Sequence, residues 1–319
     1  VVFLGTTLVS YASANPYTKL HLPQITIQAD GTITPQTASI NRVGTTYTLT
    51  SDILHEYSIV ILCSNIIFDG AGHTLDVTVE GSFRDGNSPA AYVDVGINLQ
   101  QVNNVTVKNV IGKGGYHNIN LQGSDNCQIT GVTCSGDIRI LGNNNTITES
   151  SAAISLFEGN DNLITKNNIS SVFVGGSWTS DNRFYLNNFY LTDMPSICSS
   201  CSWDNGTVGN YWSDYHERYP YASEVGTSGI ANCSYLIIRG SYSTNAYPNV
   251  SEIDHFPLMS PYVIDPVSAT DPEYVLPVIV LIGVIAVATC VGVFYFRKRR
   301  LGDHAANSVF DSEEPTEKK

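Results

Sequence analysis

Between Ile59 and Phe189, apolar and polar residues alternate in short runs, and the runs recur about every twenty residues. Apolar anchors fall at Ile67, Val107, Ile129, Ile147, Ile164 and Phe184, spaced 40, 22, 18, 17 and 20 residues apart. Three positions before each stands a small polar residue: Ser64, Asn104, Asn126, Asn144, Asp161 and Asp181. Three positions after stand Gly70, Val110, Val132, Ser150, Asn167 and Asn187. A second alternating pair lies upstream of the anchors at Ile97/Leu99, Ile119/Leu121 and Ile154/Leu156, with a slip in register at Ile138/Ile140 and Val172/Val174. The long first interval predicts a loop insertion, or a missed rung, around Thr78–Asp94.

A period of two, frequent Gly and many β-branched residues argue against a helix. The pattern predicts an all-β fold, a parallel β-helix in which alternate side chains of short strands point inward. Asn, Asp and Gly supply the corners, because they tolerate left-handed backbone and bond their own main chain. One rung cannot bury its apolar face alone, but stacked rungs bury a continuous core. Asn residues at equivalent corners are expected to stack as hydrogen-bonded ladders, which is a structural role.

A solenoid exposes a raw end unless something covers it. Residues 15–57 read as strands and turns forming an N-terminal cap, 58–190 as the rungs, and 191–262 as an aromatic-rich C-terminal cap. Residues 1–14 are apolar and end in Ala12-Ser13-Ala14, the pattern of the back half of a secretory signal peptide. After a short linker, 263–274, residues 275–296 carry no charge and have the length of a membrane-spanning helix. Arg297-Lys298-Arg299-Arg300 follows at once, so by the positive-inside rule the tail 297–319 is expected in the cytoplasm and the β-helix outside the cell membrane.

Net charge is −13, unevenly placed. Asn15 to Glu273 holds 10 basic and 24 acidic residues, while the stretch from Arg297 onward holds 6 and 5. Such an acidic outer domain repels nucleic acid and anionic polymers. It is compatible with neutral glycans, with cations, or with solubility alone. Export also changes the reading of the seven cysteines. Cys63, Cys127 and Cys134 fall within rungs, as buried hydrophobes or bridge members. Cys198, Cys201 and Cys233 lie beyond the rungs, and one disulfide is expected among them. Six sequons begin at Asn104, Asn144, Asn168, Asn205, Asn232 and Asn249, all candidates for glycosylation.

The block Ile66-Ile67-Phe68-Asp69-Gly70-Ala71-Gly72-His73-Thr74-Leu75 resembles the opening rung of the NosD-like right-handed parallel β-helix proteins. Gly209-Asn210-Tyr211-Trp212-Ser213-Asp214-Tyr215 is similar to a diagnostic block of that family, and Asp254-His255-Phe256-Pro257-Leu258-Met259-Ser260-Pro261-Tyr262 to the block that closes its domain. The lead-in from Gln28-Ala29-Asp30-Gly31 to Tyr47-Thr48-Leu49-Thr50 looks like that of archaeal surface members. The resemblance implies a place in a wider group of surface carbohydrate-binding proteins and sugar hydrolases. NosD itself implies a copper-related accessory role. The family's acidic Asp-x-Asp-x-Asp-Gly-like loop is missing from His216–Asn249.

Glycan cleavage needs two carboxylates about 5–10 Å apart. Asp137, Glu149 and Glu158 are the acids nominated for it, although Glu149 and Lys166 occupy equivalent rung positions and are expected to pair. Trp203, Tyr211, Trp212 and Tyr215 are candidates for stacking on a sugar, or else cover the open end of the solenoid. His, Met and Cys are scattered, so no metal site and no cofactor are expected. The leading expectation is a membrane-anchored surface protein that binds a glycan or an envelope protein without catalysis, or serves the envelope structurally. A glycan hydrolase or lyase and a metal-handling accessory protein are the alternatives.

Overall fold

Alternation turns into a coil because each rung contributes one strand to each of two stacked sheets. In the computed structural model, described for residues 22–78, 95–115, 117–175, 179–190, 200–237 and 252–264, one sheet stacks seven parallel strands. They are Thr46–Leu49, Ile67–Asp69, Thr106–Lys108, Gln128–Thr130, Thr146–Thr148, Leu163–Thr165 and Arg183–Tyr185. The other sheet runs in parallel through Gln24–Ile27, Ser58–Ile61, Ile97–Gln100, His117–Gln122, Thr133–Leu141, Ser151–Leu156, Asn168–Val174, Asn188–Phe189 and Tyr211–Trp212. The fold is therefore an all-β parallel solenoid. Residues 1–14, the linker beyond 264, the apolar stretch 275–296 and the basic tail lie outside the described residues, as do Cys198 and Asn249.

The anchors stack as the repeat requires. Val107, Ile129, Ile147, Ile164 and Phe184 pair in direct succession, all fully buried. Each such side chain contributes about 1.5–3 kcal/mol by leaving water. The first anchor is a correction. Val107 pairs with Phe68, and Phe68 is fully buried while Ile67 is only half-buried. A one-residue shift in a strand exchanges its two faces, so the expectation of Ile67 selected the outward neighbour. The same pairing decides between insertion and missed rung. Ile67–Asp69 bonds directly to Thr106–Lys108, so the extra residues after Thr78 are an insertion. In the other sheet the register shifts between Thr133 and Asp137 and between Ala152 and Ile154, which brings Ile119, Ile138, Ile154 and Val172 into one inward column.

Corners follow the polar pattern. Asn104, Asn126, Asn144, Asp161 and Asp181 all adopt left-handed backbone, with φ from 54 to 58°. The residues that build ladders stand beside them or on the opposite corner. The backbone N–H of Asn145 donates to Asn162 Oδ1 at 2.8 Å, and that of Asn162 to Asn182 Oδ1 at 2.9 Å. A second ladder runs Ser150, Asn167, Asn187, Asn210, each backbone N–H donating to the next side-chain oxygen at 3.0–3.1 Å. It ends on a carboxylate, where the Asn210 N–H donates to Asp254 Oδ2 at 2.7 Å. Glu149 and Lys166 both stand at left-handed corners, φ 52 and 58°, and no ion pair joins them among the described residues.

Both ends are covered. Ile33–Thr34 runs antiparallel to Gln24–Ile27, and Ile40–Val43 antiparallel to Thr46–Leu49, so the first parallel strand of each sheet has a partner on its outer edge. At the far end Trp203 stacks on Phe184 with ring centroids 4.6 Å apart, Trp212 on Phe189 at 4.4 Å, and Tyr235 on Trp212 at 4.2 Å. Glu252–Asp254 pairs antiparallel with Tyr235–Ile237 above them. Asn188 then clasps the main chain of Tyr262, accepting from its N–H at 2.7 Å and donating to its carbonyl at 2.9 Å.

Candidate functional site

The aromatic residues nominated for sugar stacking belong mostly to the cap. Trp203, Trp212 and Tyr215 are at most 1% exposed, so no ligand reaches their faces, and Tyr211 is half-buried beside Tyr190. The reason is positional. Trp203 and Trp212 stack directly over the last rung's Phe184 and Phe189, where the core would otherwise meet water.

The nominated acids do not converge. Glu149 and Glu158 flank the six-residue strand Ser151–Leu156, on the order of 17 Å of extended chain. That exceeds the spacing a carboxylate pair needs for glycoside cleavage. Asp137 sits in the middle of the strand Thr133–Leu141, where the register shifts, and is engaged by His117, whose Nδ1 lies 2.5 Å from its Oδ1. Glu158 is exposed at a corner.

That corner opens a groove of about 380 Å³ across three successive turns, lined by Gly123, Asp125, Leu141, Gly142, Asn143, Glu158, Gly159 and Asn160. Its floor is a third ladder. Asp125 Oδ1 accepts the Asn143 N–H at 2.6 Å, Asn143 Oδ1 accepts the Asn160 N–H at 3.0 Å, and Asn160 Oδ1 accepts the Ser180 N–H at 2.9 Å. Asp125, half-buried, holds Asn143 through its Oδ1, and Glu158 is the exposed carboxylate of the groove.

Beside the groove, the outer face of the long-stranded sheet carries a group that sequence reasoning passed over. Arg139, Ser155 and Phe173 pair in register and point away from the core, between the buried Ile138 and Ile140, Ile154 and Leu156, and Val172 and Val174. Phe157 and Phe173 pack with centroids 4.8 Å apart, tilted by 36°. The Arg139 guanidinium lies 4.8 Å from the Phe157 ring centre, and its Nε has no hydrogen-bond partner among the described residues. Phe173 is 39% exposed. An aromatic residue in the polar phase of a strand, as Phe173 is between Val172 and Val174, is the signal that would have found it.

The remaining nominated residues are dispersed. Four histidines each face a carboxylate through Nδ1: His117 with Asp137, His73 with Asp52 at 3.2 Å, His255 with Asp204 at 3.0 Å, and His55 with Asp76 at 3.7 Å. Cys201 is disulfide-bonded. Cys233, the third member of the group in which one bridge is expected, is an exposed free thiol, and its backbone carbonyl accepts the Tyr215 hydroxyl at 2.5 Å. Cys127 and Cys134 are free thiols within the rungs, and burial pushes Cys134 up to about 12.

The ladders, the stacked anchors and the two capped ends define an all-β parallel β-solenoid. Within that class, the family model described as "Periplasmic copper-binding protein (NosD)" matches residues 21–217, and the chain belongs to the NosD family. No curated protein matches this chain. No solved structure matches it either.

Proposed function

We propose that this NosD-family chain is a membrane-tethered surface protein whose β-helix lies outside the cytoplasm and binds a glycan without cleaving it. The binding face is the outer surface formed by Arg139, Phe157 and Phe173 together with the adjoining groove. The observation that carries this reading is the half-open Phe157–Phe173 pair beside a polar groove of about 380 Å³. Sugars present one apolar face and a hydroxyl rim. The rings supply a surface for the first, and Glu158, the exposed carboxylate of the groove, supplies a hydrogen-bonding group for the second. The separation of Glu149 from Glu158 supports binding over hydrolysis. The uncharged stretch 275–296 and the four basic residues after it support the tether and its orientation. The family's description as periplasmic supports the placement outside the cytoplasm.

Copper, named in the family's description, is the other ligand to weigh. The described residues do not fit it. No three of His, Cys, Asp or Glu among them come close enough to hold a metal ion. The four histidines stand on separate pairs, and the Cys134 thiol is held protonated by burial.

A glycan array read for both binding and product tests the proposal. Saturable binding without product is expected, weakened at least about tenfold by Phe173→Ala with Phe157→Ala, since stacking on two rings contributes about 1 kcal/mol each. Released sugar, or binding untouched by the double substitution, rejects it.

A further inference from the structure

The six sequons look alike in sequence, but the fold treats them differently. A transferase must hold the acceptor amide and the hydroxyl two residues on, so the tripeptide has to stand clear of regular structure. Asn104 sits at a corner with its Nδ2 bonded to Asn65 Oδ1 at 3.0 Å, and Thr106 is locked in a strand paired on both sides. Asn144 is exposed, yet Thr146 is likewise paired on both sides. Asn168 is itself a strand residue, half-buried and paired on both sides. The Asn232 amide is spent on Ser223, accepting from its N–H at 2.9 Å and donating to its hydroxyl at 3.1 Å. Asn249 lies outside the described residues.

Asn205-Gly206-Thr207 is unlike these. All three residues are exposed. Gly206 has φ +88°, a turn conformation that holds the tripeptide out from the cap. Asn205 Oδ1 accepts from the Thr207 N–H at 3.0 Å, the Thr207 hydroxyl at 2.9 Å and the Val208 N–H at 2.9 Å. Those bonds orient the amide and bring the hydroxyl to it. The Nδ2 is left with no partner among the described residues and faces open solvent. The base of the loop is fixed, because the Asp204 carboxylate accepts the His255 N–H at 3.0 Å.

We propose that Asn205 is the principal N-glycosylation site of this protein among the described sequons, taking an oligosaccharide from a lipid-phosphate-activated donor. In that transfer the Asn205 Nδ2 bonds to the anomeric carbon of the sugar. The bond from that carbon to the donor's phosphate oxygen breaks, and its electron pair leaves with the lipid phosphate. The displaced amide proton passes to solvent through the transferase. The site rests on the placement of the β-helix outside the cytoplasm, and it is separate from the glycan-binding face.

The test uses the full chain, expressed in a glycosylating host beside a reporter glycoprotein that proves the machinery active. Glycopeptide mass spectrometry reads every sequon, and externally added protease reports whether the domain is outside. Asn205 is expected to be modified in most molecules and to be modified more than any other described sequon. Asn205→Gln and Thr207→Ala each abolish that glycan, Thr207→Ser retains it, and Asn144→Gln leaves it unchanged. A protease-accessible domain with bare Asn205, or with Asn104 or Asn144 modified in its place, overturns this inference alone. A domain sealed from protease overturns the placement and this inference with it.

Discussion

Asn187 shows what a single corner residue does in this molecule. It is fully buried. Its Oδ1 accepts both the N–H and the Nδ2 of Asn167, at 3.1 and 3.0 Å, while its own Nδ2 donates to the Ile164 carbonyl at 2.8 Å and to Asn210 Oδ1 at 3.0 Å. The Asn167 N–H is sealed from water and would lose its acceptor on truncation, while the Asn167 amide would keep its bonds to the Ile147 and Thr165 carbonyls. Asn187→Ala is expected to cost about 3 kcal/mol or more in urea melts. Asn144 carries the same residue type at an exposed left-handed corner, φ 55°. Asn144→Gly is expected to stay within about 0.5 kcal/mol, because glycine adopts that backbone freely. Equal losses at the two positions would mean that the ladder adds nothing beyond turn chemistry.

At the scale of elements, the C-terminal cap explains why the two family blocks are written as they are. Gly209 leaves space for the Asp254 carboxylate, which a Cβ there would overlap. Asn210 extends the ladder to Asp254, and the Trp212 indole N–H donates to the same carboxylate at 2.9 Å. Trp212 also lies between Phe189 and Tyr235. Trp212→Ala therefore removes a ring from a closed stack and a donor from a buried acid. It is expected to cost about 3–5 kcal/mol, read as a lowered melting midpoint. Tyr221, in the same aromatic-rich region but 96% exposed, is expected to tolerate Ala within about 0.5 kcal/mol. A similar loss for both would refute the division of this region into cap core and surface.

For the whole molecule the same carboxylate shapes the response to pH. Burial pushes Asp254 up to about 7 from an ordinary value of 3.8, against four hydrogen bonds that favour its charged form. The folded state therefore holds a proton that the unfolded chain releases. The stability this contributes is complete below about 3.8 and is lost as pH rises toward about 7. Asp52 is shifted the other way, held down by the Thr74 N–H and then by His73. Its contribution is present at higher pH and is lost on acidification. Stability of the β-helix is expected to peak on the acid side of neutrality and to fall on the order of a few kcal/mol toward pH 7. Asp254→Asn should flatten the slope between pH 4 and 7. Urea melts across that range check it, and a slope that survives the substitution would assign the titration elsewhere.

The one-dimensional repeat explains which features could be read from sequence. Every anchor meets its equivalent one rung away, so inward residues from Val107 to Phe184, left-handed corners such as Asn126 and Asp161, and even the slipped register at Ile138 and Val172 are local properties of the pattern. A capping role for the aromatic cluster was legible for the same reason, since an open solenoid end needs one. The outer-face group proposed to bind a glycan was not legible. Arg139, Phe157 and Phe173 come from three successive rungs, and their contacts depend on which outward side chains meet across the sheet. Sequence also could not rank the sequons, because a neighbour one rung away decides whether an amide is free or a Thr is locked in a strand. The choice of Phe68 over Ile67 went the same way, since both are apolar and only pairing with Val107 selects the inward one. The sequence by itself determined the repeat, the corners and the need for caps, because those depend on residues near one another along the coil. Tertiary structure alone decided which polar groups are spent within ladders and which remain available to a ligand, because hydrogen bonds are allotted between rungs.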